Sequence, residues 1–305
     1  MSTSLPDERP LASPQDSQAA LYIVATPIGH LADISARARE ILCAVDWVAC
    51  EDTRTTRVLL NHIGSSAQSF AYHQHNERSA AARIVDLVKQ GQSVAVVSDA
   101  GTPGISDPGY AVVDAAHQAG LRIVAIPGAS AVTSLLSVCG FDTAEGFYFA
   151  GFLPQTGSKR RARLLELERQ PGVLVFYEAP HRIAECLEDL LRQFGPDRRI
   201  VIGRELTKRF EETARMPLLA CASWLLADSN RGRGEFVLAL EARDSSSDTE
   251  GMRAELSLDK LLRHLLEELP VSASAKIAHK LLGIPRKQAY EHALSIAQQA
   301  TPDTK

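Results

Sequence analysis

Residues 98–109 read SDAGTPGISDPG and follow directly on the apolar run VAVV, Val94 to Val97. Gly101, Gly104 and Gly109 open unusual backbone angles, while Pro103 and Pro108 fix φ and remove N–H donors, so the stretch is neither helix nor strand. Such a path turns amides and carbonyls outward, which is chemistry for holding a ligand. A plain strand-to-helix link needs only roughly two or three residues. Two further runs have the same character, TPIGHLAD (26–33) and PGAS (127–130). In the second, Gly128 permits a tight exit and Ser130 can cap a helix from Ala131 to Val138, leaving amides free for an anionic group. Each run alone is compatible with simple turn chemistry. All three together favour a pocket, because strand ends of one parallel sheet share an edge.

The elements that must position these loops alternate along the first half. LYIVA (21–25), WVAC (47–50), SFAYH (69–73), VAVVS (94–98) and RIVAIP (122–127) read as strands. Helices fall between them at about 34–45, 53–63 and 77–90, and a further one begins near Pro108. Asp52 and Asn76 stand at N-cap positions, and Gly64 and Gly91 at the ends. Near-continuous apolar strands between helices predict a parallel sheet covered on both faces. Beyond Gly140, FYFAGFL, GVLVFYE, RRIVIGREL, RFEETARM and GEFVLALE are strands with fewer helices between them, which predicts a mixed sheet. The expected organisation is a disordered tail over 1–19, an α/β domain over 20–140 and a second over 141–242. A linker over 243–255 and a helical domain over 256–300 follow.

Composition narrows the function. Hydrophobic residues make up 45% and charged residues 23%, as in an ordinary globular protein. No run approaches a membrane span and the start has no apolar leader segment, so the cytoplasm is the default. The five cysteines, at 43, 50, 139, 186 and 221, form no CxxC pair, which favours reduced thiols over disulfides or a metal centre. A net charge of −4 gives no global attraction for nucleic acid, although local patches can supply one. Neither GxGxxG nor GxxxxGK[ST] occurs, so dinucleotide and P-loop readings lack their fingerprints.

TPIGHLADIS, EDTRTTRVLL, YHQHNE, SDAGTPGISDPG, IPGAS, FYEAPHR and RELTKRFEE, in this order, resemble the tetrapyrrole methylase-like superfamily. Within it they resemble the ribosomal RNA small subunit methyltransferase I family, with one departure at His30, where Asn commonly follows PIG. The resemblance implies the two-domain tetrapyrrole methylase-like fold, with a parallel-sheet N-terminal domain and a mixed-sheet second domain. It also implies a homodimer that carries methyl from S-adenosylmethionine (SAM) to a cytidine 2′-hydroxyl in the decoding centre of 16S rRNA. Asp99, Ala100, Gly101 and Thr102 would line the SAM site, Gly101 because a side chain would collide with the methionine portion. Pro27, Gly29, Ser130 and Ala131 would complete one wall, and Phe176 and Tyr177 would come from the second domain.

Candidates for the proton and for RNA are polar clusters at strand ends. EDTR offers Glu51, Asp52 and Arg54; YHQHNE offers His73, His75 and Glu77; EAPHR offers Glu178, His181 and Arg182; RELTK offers Arg204, Glu205 and Lys208. Glu178 and Glu205 are the candidate bases, with Arg54 and His181 beside them. GSKRRAR puts four cations, Lys159, Arg160, Arg161 and Arg163, at a helix start, where positive charge opposes the helix dipole. Phosphate contact and a solvated face both account for it. In the tail, residues 272–294 fit a helix-turn-helix with Ala275, Ile277, Ala278, Leu281, Ile284, Ala289, Tyr290 and Leu294 as its core. Arg286 and Lys287 open its second helix, where such motifs touch nucleic acid. A tetrapyrrole carbon methylase and a ligand-sensing helix-turn-helix regulator remain the alternatives.

Overall fold

The computed structural model of the chain describes residues 19–243 and 258–299. The expected tail through residue 18 and residues 244–255 of the expected linker lie outside the described residues.

Strands β1 (Leu21–Val24), β2 (Trp47–Cys50), β3 (Gln68–Ala71), β4 (Val94–Val97) and β5 (Ile123–Ile126) form one sheet in the order β3-β2-β4-β1-β5. Every pair is parallel. Their side chains alternate between two cores. Tyr22, Val24, Val48, Ala95 and Val97 pack with Leu42 of α1 (Ala36–Ala44) and with Leu59, Leu60 and Ile63 of α2 (Thr53–Ile63). Leu21, Ala49, Val94 and Val96 pack against Ile84 and Val88 of α3 (Glu77–Lys89) and against Val112 of α4 (Tyr110–Gln118). Burial on both faces is why these strands are apolar throughout.

The second sheet joins β6 (Phe147–Phe152), β7 (Val173–Glu178), β10 (Phe236–Leu240), β8 (Arg199–Arg204) and β9 (Glu212–Pro217), in that order. Only β6 and β7 are parallel; the other pairs are antiparallel. One face buries Leu174, Phe176, Ile202 and Leu238 beneath α6 (Gly157–Leu167), α7 (Ile183–Phe194) and α8 (Cys221–Leu226). The opposite face is covered by α5 (Ala131–Cys139), whose Val132 and Leu135 pack on Val175, Val201 and Val237. Helix α5 follows the first sheet in sequence and packs on the second.

Helix ends follow local rules where the capping group is local. Ser35 accepts from the Ala38 amide at the start of α1, and Asp52 from the Arg54 amide at the start of α2. Gly64 closes α2 in the left-handed region. Asn76 stands at the start of α3 and makes no side-chain cap. Its amide group is committed to the preceding loop, accepting from His73 N and donating to Ala71 O.

The chain divides into two compact units, residues 1–242 and 243–305. In the second, α9 (Leu258–Glu268), α10 (Val271–Leu282) and α11 (Arg286–Gln299) enclose Leu262, Ala275, Ala278, Ala289, Ala293 and Ile296. The alanines let the helices approach closely. Leu281, Tyr290 and Leu294, expected inside, are exposed instead, and Ile277 is only half-buried. Positions 289, 293 and 296 carry the stripe of α11, so Ala289 is inside as expected while the buried face turns away from Tyr290 and Leu294.

Candidate active site

The three special loops are tied into one structure at the carboxyl edge of the first sheet. Thr26 N donates to Gly101 O at 2.8 Å, and Gly101 N returns a bond to Thr26 O at 3.1 Å. The Thr26 hydroxyl donates to Ser98 O, and the Thr102 hydroxyl to Ala129 O in the PGAS loop. Gly101 holds φ +86°, and a Cβ on Gly128 would lie 2.9 Å from that of Ala25. Glycine is required at both places, at the first by backbone angle and at the second by close approach. Beyond them Ser106 takes φ +67°, uncommon for a residue with a side chain. The loop ends at Glu77, whose carboxylate receives the Gly109 and Ala111 amides and the Tyr72 hydroxyl. Glu77, counted among candidates for the reaction, therefore caps α4.

These loops and the second sheet enclose a hollow of about 320 Å³. Ala100, Gly101, Thr102, Ser130 and Ala131 line one side, together with Ile105, Ser106 and Asp107. Tyr177, Gly203, Leu206 and Val237 face them, with Phe152 at the mouth. The Tyr177 ring meets Phe149 and Phe152 edge-on at 4.8 and 5.5 Å between centroids. Burial and the charge of Asp107 push the Tyr177 hydroxyl up from its ordinary pKa, against weaker pulls from Ser130 and Val132.

Four of the residues expected at a SAM site do not line this hollow. Phe176 is fully buried on the α6–α7 side of β7, because neighbouring strand residues point to opposite faces. Pro27, Gly29 and Asp99 line an adjoining hollow of about 350 Å³ with Thr55 and Thr56, which shares Ile28 and Ala100 with the first. Gly29 serves packing: a Cβ there would stand 2.5 Å from Lys208 Cγ and 2.7 Å from Thr207 Oγ1. Next to it, His30 Nδ1 accepts from Ala32 N. An Asn at this position has an oxygen for the same bond, so the departure at His30 keeps a capping acceptor.

The expected bases are held by cations. The Glu178 carboxylate is fully buried and sits 3.0 Å from Arg182. Glu205 accepts from Glu235 N and from Lys208 Nζ. Burial raises its pKa, but the Glu235 amide, Lys208 and Arg204 outweigh that and hold it below the ordinary carboxylate value, which suits a salt bridge and not a base. Arg54 projects into solvent, 2.7 Å from the Asp52 carboxylate. Its hydrogen bonds bring the Asp52 pKa down to about 2. His181 is exposed in the turn beyond Pro180. The functional candidate missed from sequence is Asp107, whose signal is burial without a cation. Among the described residues, no three or more His, Cys, Asp or Glu side chains are grouped to hold a metal ion.

The tetrapyrrole (corrin/porphyrin) methylase profile matches residues 20–221, and the profile of the RsmI C-terminal HTH domain matches 253–297. A ribosomal RNA small subunit methyltransferase I of Escherichia coli O157:H7 is 42% identical over 92% of this chain and 97% of that protein. One from Xylella fastidiosa (strain Temecula1) is 46% identical over 88% and 97%. The chain belongs to the ribosomal RNA small subunit methyltransferase I family. Among solved structures, the fold is shared with the methyltransferase CobJ at TM-score 0.56, with 17% identity over 73% of this chain and 94% of that one. It is shared too with a Thermus thermophilus uroporphyrin-III C-methyltransferase complexed with S-adenyl homocysteine, at TM-score 0.52 and 17% identity over 73% and 97%.

For a member of this methyltransferase family, the cations expected to meet RNA divide by burial. Arg160 is 2% exposed and joins α6 to α7 through Asp189 at 2.7 Å and Glu185 at 3.2 Å. Arg204 is also buried; it donates to Arg233 O and Phe210 O and so fastens two loops. Lys208 is shared between Glu235 and Glu205. These three are structural. Arg163 bonds Glu166 and the Tyr148 hydroxyl. Lys159, Arg161, Arg286 and Lys287 remain exposed.

Proposed function

We propose that this protein transfers a methyl group from SAM to the 2′-hydroxyl of a cytidine ribose in the decoding centre of 16S rRNA. The observation that carries the reading is 42–46% identity, over 88–92% of this chain and 97% of each relative, to proteins named ribosomal RNA small subunit methyltransferase I.

The first hollow suits SAM. Its volume is in the range of small-molecule sites, its lining is largely apolar with the Thr102 and Ser130 hydroxyls set into it, and its rings offer faces to adenine. Gly101, Thr102, Ser130, Ala131 and Tyr177 are the residues we assign to it. The group supplies, when bound, a methyl already activated by positive sulfur. The protein's task is to align the ribose oxygen with that methyl and to accept its proton. Exposed Lys159 and Arg161 on α6, and Arg286 and Lys287 on α11, are suited to phosphate. The likeness to the solved methyltransferase structures, at 17% identity, concerns the fold.

We place the protein in the cytoplasm as a homodimer. Among the described residues no helix is long and apolar enough to cross a membrane. Sedimentation tests the dimer: a single species of monomer mass at micromolar concentration overturns it. The reaction is tested by incubating methyl-labelled SAM with small ribosomal subunits lacking the modification and mapping the label. Label on one cytidine, with alkaline cleavage blocked at its 3′ phosphate, is expected. Label on a base overturns the reading.

A further inference from the structure

Three carboxylate residues line the first hollow: Asp107, Glu178 and Glu235. Two are matched by cations. Glu178 is buried against Arg182, and Glu235 pairs with Lys208 at 2.9 Å. No ion pair involves Asp107 among the described residues. The charges that act on it are Glu51, just past β2, and Asp99, just past β4, both acidic, while the Ser98 hydroxyl and Tyr177 interact with it.

The position of Asp107 is imposed by the backbone. It follows Ser106, at φ +67°, and precedes the buried Pro108 and Gly109, the latter fastened to Glu77. A left-handed residue with a side chain costs of order 1 kcal/mol or more and persists where its surroundings over-determine it. Here the outcome is a half-buried carboxylate facing the hollow across from Tyr177.

We propose that Asp107 is the catalytic base that takes the 2′-hydroxyl proton during methyl transfer, an inference resting on the methyltransferase reading above. In that step the ribose O–C bond forms and the S–C bond breaks. The electron pair of the broken bond stays on sulfur, leaving a neutral thioether. The ribose proton passes to the Asp107 carboxylate and then to solvent. Glu178 and Glu235 serve this less well because each carboxylate is already engaged in an ion pair, with Arg182 and Lys208 respectively.

The ionisation of Asp107 agrees with this role. Burial first, then Glu51 and Asp99, push its carboxyl up to about 6, and Ser98 only partly offsets them. A base with a pKa near the working pH is deprotonated yet still strong enough to accept a proton.

The test is single-turnover methylation of pre-bound ribosomal subunits from pH 5 to 8.5, with SAM affinity measured by calorimetry. For the wild type, log rate should rise with unit slope below about pH 6 and level off above it. Asp107→Asn should lower the plateau by about 10²–10⁴-fold and abolish that slope, while SAM affinity changes less than about threefold. Asp107→Glu should recover part of the rate and all of the pH dependence. An Asn variant with the wild-type rate and profile overturns the inference. So does one whose loss is matched by lost SAM binding, which would make Asp107 a binding residue. If the wild type itself transfers no methyl to RNA, the failure belongs to the function and not to Asp107.

Discussion

At the scale of single residues, the molecule separates charges that do structural work from charges left available, and sequence only partly distinguishes them. Lys159, Arg160 and Arg161 are consecutive and look alike, but Arg160 shares a helix face with buried Leu164 and Leu167. That spacing, i, i+4 and i+7, was the legible sign of burial. Glu178 likewise lies on the buried face of its strand, two residues from Phe176. Asp107 could not be found this way, since its distinction is an absent counter-ion. Arg160→Ala should cost about 1–3 kcal/mol, because buried Asp189 loses its 2.7 Å partner and keeps only the longer pairings with Arg192 at 3.3 Å and Arg161 at 3.6 Å, and the loss should be visible in urea unfolding. Lys159→Ala should stay within about 0.5 kcal/mol by the same measurement and Arg161→Ala, which gives up a 3.6 Å pairing with Asp189, within about 1 kcal/mol, and both should flatten the salt dependence of RNA binding. Asp107 has a stability signature too. Its folded pKa stands above the ordinary value, so the stability it lends at acid pH disappears as the pH rises through about 6. Asp107→Asn should therefore unfold much like the wild type at pH 4. At pH 8 it should be about 1 kcal/mol more stable, a value reduced because the side chain is half exposed.

At the scale of elements, legibility follows the range of the interaction. The bounds of α2, from Asp52 to Gly64, were readable because both signals touch their own backbone. The start of α3 was readable in position but not in mechanism, since Asn76 bonds backward into its loop. The cap of α4 was hidden: Glu77 reaches it from α3, across more than thirty residues. Loops obey the same rule. Gly101 was expected to be glycine for the sake of a ligand, and its φ of +86° demands glycine on backbone grounds as well. Gly101→Ala should accordingly lose about 1 kcal/mol or more in thermal melts without SAM. Equal melting of wild type and variant would leave the ligand as the sole reason for the glycine. Ser106, Glu205 and Thr207, the non-glycine residues at positive φ among those described, all border the hollow or the loop packed on Gly29. No local signal in their side chains announced this.

At the scale of the whole molecule, the division after residue 242 gives the clearest expectation. Both hollows are lined by residues of the first unit. A chain ending at Ala242 should therefore remain folded and bind SAM within about threefold of the full-length affinity. Methylation of ribosomal subunits should weaken chiefly through a raised KM, because Arg286 and Lys287 are lost. Sedimentation should precede the kinetics, so that a changed oligomer is not mistaken for a lost RNA contact. Full activity in a shortened protein of unchanged oligomeric state would remove the helical unit from RNA binding. The parallel pairing of the first sheet was implicit in its alternating pattern, but its strand order was not. The second sheet was foreseeable as mixed, but its pairing order was not, since antiparallel partners far apart in sequence leave no periodic trace.

Helix α5 has a consequence for how this protein can be recombined. By chain order it completes the first sheet, yet Val132 and Leu135 fill the core of the second. A hybrid joined at Gly140, taking its front from this chain and its back from a relative, would carry the plug of one protein into the socket of another. The natural crossover lies before Ala131, where the helix travels with the strands it covers. A swap made there inherits the PGAS loop from one parent and its helix from the other, so the seam runs through the ligand wall. Neither junction is free of compromise. Any exchange of halves between members of this family must choose whether to remake the core or the pocket.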